Sequence, residues 1–242
     1  MSKKFLKEIS SQNNMPYKLS PNSLNLYKQC PRCFYLTLHK KWKRPSAAFP
    51  SLPSGMDKIL KNHFDSFMKK GKMPPELCEK QSCKNLRLFD NENLLSVWRN
   101  NKKGISYTDK KGNTLHGAID NLLVNTINSK LIVLDYKTRG FPLKEDTAEH
   151  YELQLDIYNF LLRKNKYETE NYGFLLFYFP KEILPTGEFL FDTELVKMQV
   201  SALRGEKAWK NALRMLSRKC PKTTCEWCKG VKTETLKNTF SI

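Results

Sequence analysis

The order of apolar and turn-forming segments predicts a mixed α/β fold, a central sheet flanked by helices. Three observations carry this expectation. A block of short strands broken by turn residues occupies 104–137. Within it, Leu131-Ile132-Val133-Leu134 is continuously apolar, as suits a strand buried on both faces. Helical periodicity flanks the block on either side.

Taken in order, residues 1–16 read as a polar, flexible tail. Ser20 suits an N-cap and Pro21 a first helical turn, and Leu24, Leu26 and Tyr27 then lead to Cys30 at that helix's end. Residues 42–53 form a Pro-rich loop. From Gly55 the apolar stripe Met56, Ile59, Leu60, Phe64, Phe67 and Met68 predicts a helix with one buried face. Residues 69–92 look polar and irregular. Strands are expected at 104–108, 114–125 and 130–137, separated by Lys111-Gly112-Asn113 and Asn128-Ser129. A helix over 147–163 carries Tyr151, Leu155, Tyr158 and Leu162 on one face. Strands at 172–179 and 189–200 precede a last helix, 201–216. The expected organisation is one domain over 17–242 with its core at about 50–200.

The 242 residues include 42 Lys and Arg against 24 Asp and Glu, a net charge of +18. Hydrophobic residues at 40% are too many for a disordered chain. The longest apolar run, 174–179, is far too short for a membrane span, and no apolar signal core follows the basic Met1-Ser2-Lys3-Lys4. A cytoplasmic, intracellular protein is expected. The excess charge lies at the two ends: +9 over residues 1–50 and +7 over 203–233. Such polarisation favours a polyanionic partner, nucleic acid above all.

Seven cysteines without a secretory signal argue against a disulfide framework. Cys30-Pro31-Arg32-Cys33 and Cys225-Glu226-Trp227-Cys228 are C-x2-C pairs with 191 residues between them. Two such pairs supply four thiolates, which suit Zn²⁺ and an iron–sulfur cluster equally well. Cys220 is a reserve ligand, while Cys78 and Cys83 stand apart. The site would clasp 17–45 to 203–232 and add folding free energy there.

Acids and a lysine mark the sheet. Asp120 leads into Leu122-Leu123-Val124, and Asp135-Tyr136-Lys137 closes the most apolar strand. Asp135 and Lys137, two apart, share a strand face. Carboxylates from neighbouring strands can hold Mg²⁺, and the lysine can position a water or stabilise charge on a phosphodiester. Gln154 and Tyr158 lie one helical turn apart, within reach of such a centre.

Gly117-x2-Asp120, Asp135-x-Lys137 and Gln154-x3-Tyr158 together resemble the motifs of the PD-(D/E)XK nuclease superfamily, in its RecB-like branch. Ser20-Pro21-Asn22-Ser23-Leu24, Cys30-Pro31-Arg32 and the returning C-terminal cysteines resemble that branch's iron–sulfur members, among them CRISPR-adaptation exonucleases and AddAB-type nuclease domains. The resemblance spans about 17–230. It implies a restriction-endonuclease-like mixed sheet whose chain ends are clasped by the four-cysteine site. The implied activity is Mg²⁺- or Mn²⁺-dependent hydrolysis of DNA, as an exonuclease or end-processing enzyme on single strands, in DNA repair or CRISPR adaptation. Asp120, Asp135 and the Tyr136 carbonyl would hold the metal, Lys137 would be the catalytic lysine, and Gln154 and Tyr158 the supporting motif. Two departures stand out. Where the family carries a metal-binding His four residues after a Gly, Gly55 is followed by Ile59, so His63 or Asp57 is expected in that place. Iron–sulfur relatives use one N-terminal and three C-terminal cysteines, whereas the matched pairs here point to Cys30, Cys33, Cys225 and Cys228, holding a 4Fe-4S cluster or, alternatively, Zn²⁺. No P-loop is present, so unwinding would fall to a partner such as a helicase; an integrase is the other partner expected. The competing functional class is a non-catalytic nucleic-acid-binding module with a structural metal.

Overall fold

The computed structural model describes residues 16–46 and 50–231; the expected tail, Pro16 apart, lies outside them. The chain divides into two compact units. One comprises Met1–Ser46, Tyr107–Leu115 and Lys207–Ile242, the other Ala47–Ser106 and His116–Glu206.

In the first unit, strand β1 (Lys18–Leu19) pairs in parallel with Thr114 and Leu115. Helix α1 (Pro21–Gln29) starts as its sequence predicts. The Ser20 hydroxyl accepts from the Ser23 N–H at 3.3 Å, and the Ser23 hydroxyl accepts from the Ser20 N–H at 2.8 Å, a closed capping box. The chain then re-enters a helix at once: Cys30 ends α1 and caps α2 (Pro31–Leu38), a helix the sequence reading omits. Pro31 explains the restart, because a proline cannot continue α1 but suits the first turn of a new helix.

The second unit is built on a five-stranded mixed sheet in the order β2-β5-β6-β7-β8. Its strands are β2 (Leu86–Leu88), β5 (Asn121–Asn125), β6 (Leu131–Thr138), β7 (Tyr172–Ile183) and β8 (Phe189–Gln199). Neighbours run antiparallel except β6 and β7, whose parallel pairing needs a long crossover. Helix α6 (Glu152–Lys164) lies in that crossover. One apolar cluster joins Leu60 and Phe64 of helix α3 (Ser51–Lys69) to Leu123, Ile132, Leu134, Tyr136, Phe174 and Leu176 of the sheet. This mixed sheet with flanking helices is the architecture expected.

Several boundaries differ, each for a local reason. Helix α3 begins at Ser51, not Gly55, because Pro53 falls in the first turn, where no N–H is needed. Ile59, expected on the buried stripe, is 62% exposed, while Leu60 and Phe64 face the sheet. The stretch 69–92, expected to be irregular, holds α4 (Pro75–Cys78), a 3-10 turn (Gln81–Cys83) and the edge strand β2. Helix α5 (Glu92–Trp98), capped by the Asn91 side chain, follows. The single strand expected over 114–125 is two, β4 (Thr114–Gly117) and β5, β4 following β3 (Ile105–Thr108). The break between β4 and β5 carries Asp120. Helix α6 is buried all round from Leu155 to Leu162 rather than on one face. Helix α7 (Ala202–Leu216) is the last.

Candidate active site and cysteine centre

In the second unit, the β5–β6 pairing brings Asp120 beside the end of β6. Asn121 is in register with Leu134, and the Tyr136 N–H donates to Asp120 Oδ2 at 3.2 Å. Alternation along β6 then turns Asp135 and Lys137 to one face, where their side chains form an ion pair, and Tyr136 to the other, where its ring packs on Phe64. From α6, the Gln154 amide donates to Asp135 Oδ1 at 2.9 Å and to the Tyr158 hydroxyl oxygen at 2.9 Å. Asp120, Asp135, Lys137, Gln154 and Tyr158 thus form one connected group, and Tyr136 joins it through its backbone.

The electrostatics suit a bound cation. Asp135 is buried, and burial, with Asp120 beside it, pushes its carboxyl up to about 7 against the pull of the Lys137 ammonium. Its Oδ2 is held by the Lys137 ammonium. Burial pulls Lys137 down, yet the Asp135 and Asp120 carboxylates outweigh it and hold the lysine protonated. Its ammonium lies 4.8 Å from the centroid of the Tyr151 ring. A buried carboxylate beside a second carboxylate is a donor set for a hard divalent ion.

The sequence reading missed one participant. Lys61 of α3 donates to Asp57 Oδ2 at 2.8 Å and contacts Asp120 Oδ1 at 3.1 Å. Its signal was the Asp57–Lys61 spacing of four, common on any solvated helix face. His63 lies on the same helix with Nε2 3.0 Å from Glu76 Oε1, an oxygen that also accepts from the Tyr178 hydroxyl at 2.8 Å.

In the first unit, Cys30, Cys33, Cys225 and Cys228 come together with every pair of sulfur atoms within 4.8 Å. Cys30 and Cys228 are 3.9 Å apart, Cys33 and Cys225 3.4 Å, and Cys225 and Cys228 3.8 Å. A tetrahedral ion with Zn–S bonds of about 2.3 Å places its sulfurs about 3.8 Å apart, so the spacing fits a single four-coordinate ion. The Cys30 sulfur also accepts the Cys33 N–H at 3.4 Å, so it sits where the first turn of α2 points its donors. Arg44 donates to the Cys225 sulfur at 3.7 Å. Burial raises the Cys33 thiol to about 12 despite that arginine. Burial also works against the Cys225 thiolate, but the Cys228 and Trp227 backbone donors and the neighbouring thiols bring it down to about 6. Cys220 lies outside the four, its sulfur 3.6 Å from Arg32 Nη1. Cys78 is exposed and Cys83 is buried in the core of the other unit.

Residues 79–231 match the family model of the PD-(D/E)XK nuclease superfamily. The chain belongs to that superfamily, whose members are generally nucleases that use divalent metals. Among solved structures it is similar to one titled "Crystal structure of SSO0001", with 15% identity over 91% of this chain and 86% of that chain and a TM-score of 0.38. No curated protein matches it. None of the described helices is long and apolar enough to cross a membrane.

Proposed function

We propose that the protein is a nuclease that hydrolyses DNA phosphodiesters with Mg²⁺ or Mn²⁺, acting as an exonuclease or end-processing enzyme on single strands. The observation that carries this reading is the convergence of Asp120, Asp135 and Lys137 from adjoining strands, with Gln154 holding Asp135 from the crossover helix. Asp120, Asp135 and the Tyr136 carbonyl are the metal ligands; His63, whose Nε2 meets Glu76, is the further ligand this reading expects. A divalent ion bound there supplies a more acidic water and neutralises phosphate charge. Lys137, kept protonated by its carboxylate neighbours, stabilises the negative charge that grows on the attacked phosphate. Gln154 fixes the orientation of Asp135, and Tyr158 fixes Gln154.

In this reading residues 17–242 form one nuclease domain, with 17–45 and 203–232 joined at the cysteine centre. That centre holds one structural Zn²⁺, supported by the sulfur spacing. A 4Fe-4S cluster is the second reading, favoured by the resemblance of Cys30-Pro31-Arg32 to iron–sulfur relatives. It requires the four sulfurs to move apart, because each would bind a different iron. The basic termini track the phosphate backbone of single-stranded DNA or DNA ends, with duplex opening left to a helicase and an integrase as the other partner, in repair or CRISPR adaptation.

The test is cleavage of end-labelled linear and closed-circular single-stranded DNA with Mg²⁺ or Mn²⁺. The intact protein degrades the linear substrate. Asp135→Asn and Lys137→Ala each lower the rate by at least about 10²–10³-fold while DNA binding persists. Cleavage that survives Asp135→Asn removes the assignment; binding without cleavage under every divalent ion establishes the non-catalytic module instead. Metal analysis and a visible spectrum separate colourless zinc from absorbing iron–sulfur protein.

A further inference from the structure

We propose that Lys61 occupies the place of a second divalent ion, so that this site takes one metal ion and no more. The inference rests on the nuclease reading above and concerns a residue that reading does not use.

The geometry comes first. Asp57 and Asp120, one from α3 and one from the break before β5, aim an oxygen each at a single point, 2.8 and 3.1 Å from the Lys61 nitrogen. Two carboxylates meeting at one point are what a second ion needs in sites where paired metals share an acid. Here an ammonium already fills that point. It cannot leave cheaply: the Lys61 side chain is only 20% exposed, and its departure would leave the Asp57 and Asp120 oxygens without the ammonium they share.

The charges then close on one ion. With Asp135 ionised, as metal binding requires, three carboxylates, Asp57, Asp120 and Asp135, face two ammoniums, Lys61 and Lys137, leaving one negative charge. The nearby Arg99 neutralises Asp65 through two contacts of 2.8 Å and adds nothing to the balance. One divalent ion takes the group to +1, and one phosphodiester returns it to zero. A second ion would leave two uncompensated positive charges around a buried aspartate, a costly state at low local dielectric. Lys61 is therefore a positioning residue: it holds Asp120 in place for the first ion and denies Asp57 to another.

Counting Mn²⁺ on the full chain tests this, by loss of the free-ion electron paramagnetic resonance signal during titration, with the cysteine centre loaded as purified. The wild type binds one Mn²⁺, and Lys61→Arg also binds one. Lys61→Met, which keeps the stem and removes the charge, binds two. Adding Asp57→Asn to Lys61→Met returns the count to one, because the second ion needs that carboxylate. Two ions on the wild type, or one on Lys61→Met, overturn the inference. The wild-type count decides even where the methionine variant fails to fold. Two wild-type ions with Asp135-dependent cleavage intact overturn this inference alone, whereas no Mn²⁺ in any background overturns the nuclease assignment with it.

Discussion

Gly117 has no side chain, and the site depends on that. A Cβ built there falls 2.6 Å from Tyr158 Cε1 and 3.0 Å from Cδ1, so any larger residue pushes the ring that anchors Gln154. Gly117→Ala should cost about 1–3 kcal/mol in urea unfolding, as overpacking does, and lower cleavage more than DNA binding. Tyr158→Phe alone keeps the ring and removes the hydroxyl, so a loss of cleavage there at unchanged stability would show that the hydroxyl holding Gln154 matters. At this scale much of the site was legible. Asp135 with Lys137 and Gln154 with Tyr158 are legible because strand and helix periodicity fix their spacing, and the resemblance to PD-(D/E)XK motifs ties them to Gly117 and Asp120. Lys61 does not, because its meeting with Asp120 crosses 59 positions and depends on where α3 lies against the sheet.

Among the elements, α2 shows how a short helix is held at both ends. Cys30 caps its start with a sulfur atom, and His39 closes its end, where the imidazole Nε2 lies 3.1 Å from the Leu216 carbonyl and the ring sits 4.0 Å from Tyr35. Burial lowers the His39 pKa against the pull of that carbonyl. The unfolded chain, whose histidine keeps its ordinary pKa near 6.5, therefore takes up the proton first. Stability from this residue is present above about pH 6.5 and is lost as the pH falls below it. Thermal unfolding between pH 8 and 5 should show a falling Tm, and His39→Gln, which keeps an N–H donor, should flatten that fall. Elements such as α4, α5 and β2 were hard to read for a physical reason. Each is three to seven residues long, too short for a period to emerge, and β2 exists because β5 offers it an edge.

At the scale of the whole molecule, the cysteine centre decides how the first unit holds together. Its four sulfurs come from segments far apart in the sequence, and a cation that binds all four as thiolates ties those segments together. Removing the metal with a strong chelator should lower the Tm by several degrees and open residues 17–45 and 207–231 to hydrogen exchange. The sheet strands β5–β7 should stay protected. Equal protection of all segments after metal loss would assign the sulfur atoms no such role. The pairing of Cys30 and Cys33 with Cys225 and Cys228 was readable as two matched motifs that left Cys220 in reserve, and Cys220 lies outside the four, beside Arg32.

That arrangement also imposes a timetable. The first two sulfur ligands leave the ribosome 191 residues before the last two, a lag of about 10–40 s at ~5–20 residues per second. For that interval Cys30 and Cys33 wait as reduced thiols without their partners, while the residues that build the five-stranded sheet emerge in between. Metal capture in the proposed centre therefore waits until both cysteine pairs have emerged, and until then the first two thiols are exposed to oxidation and mispairing.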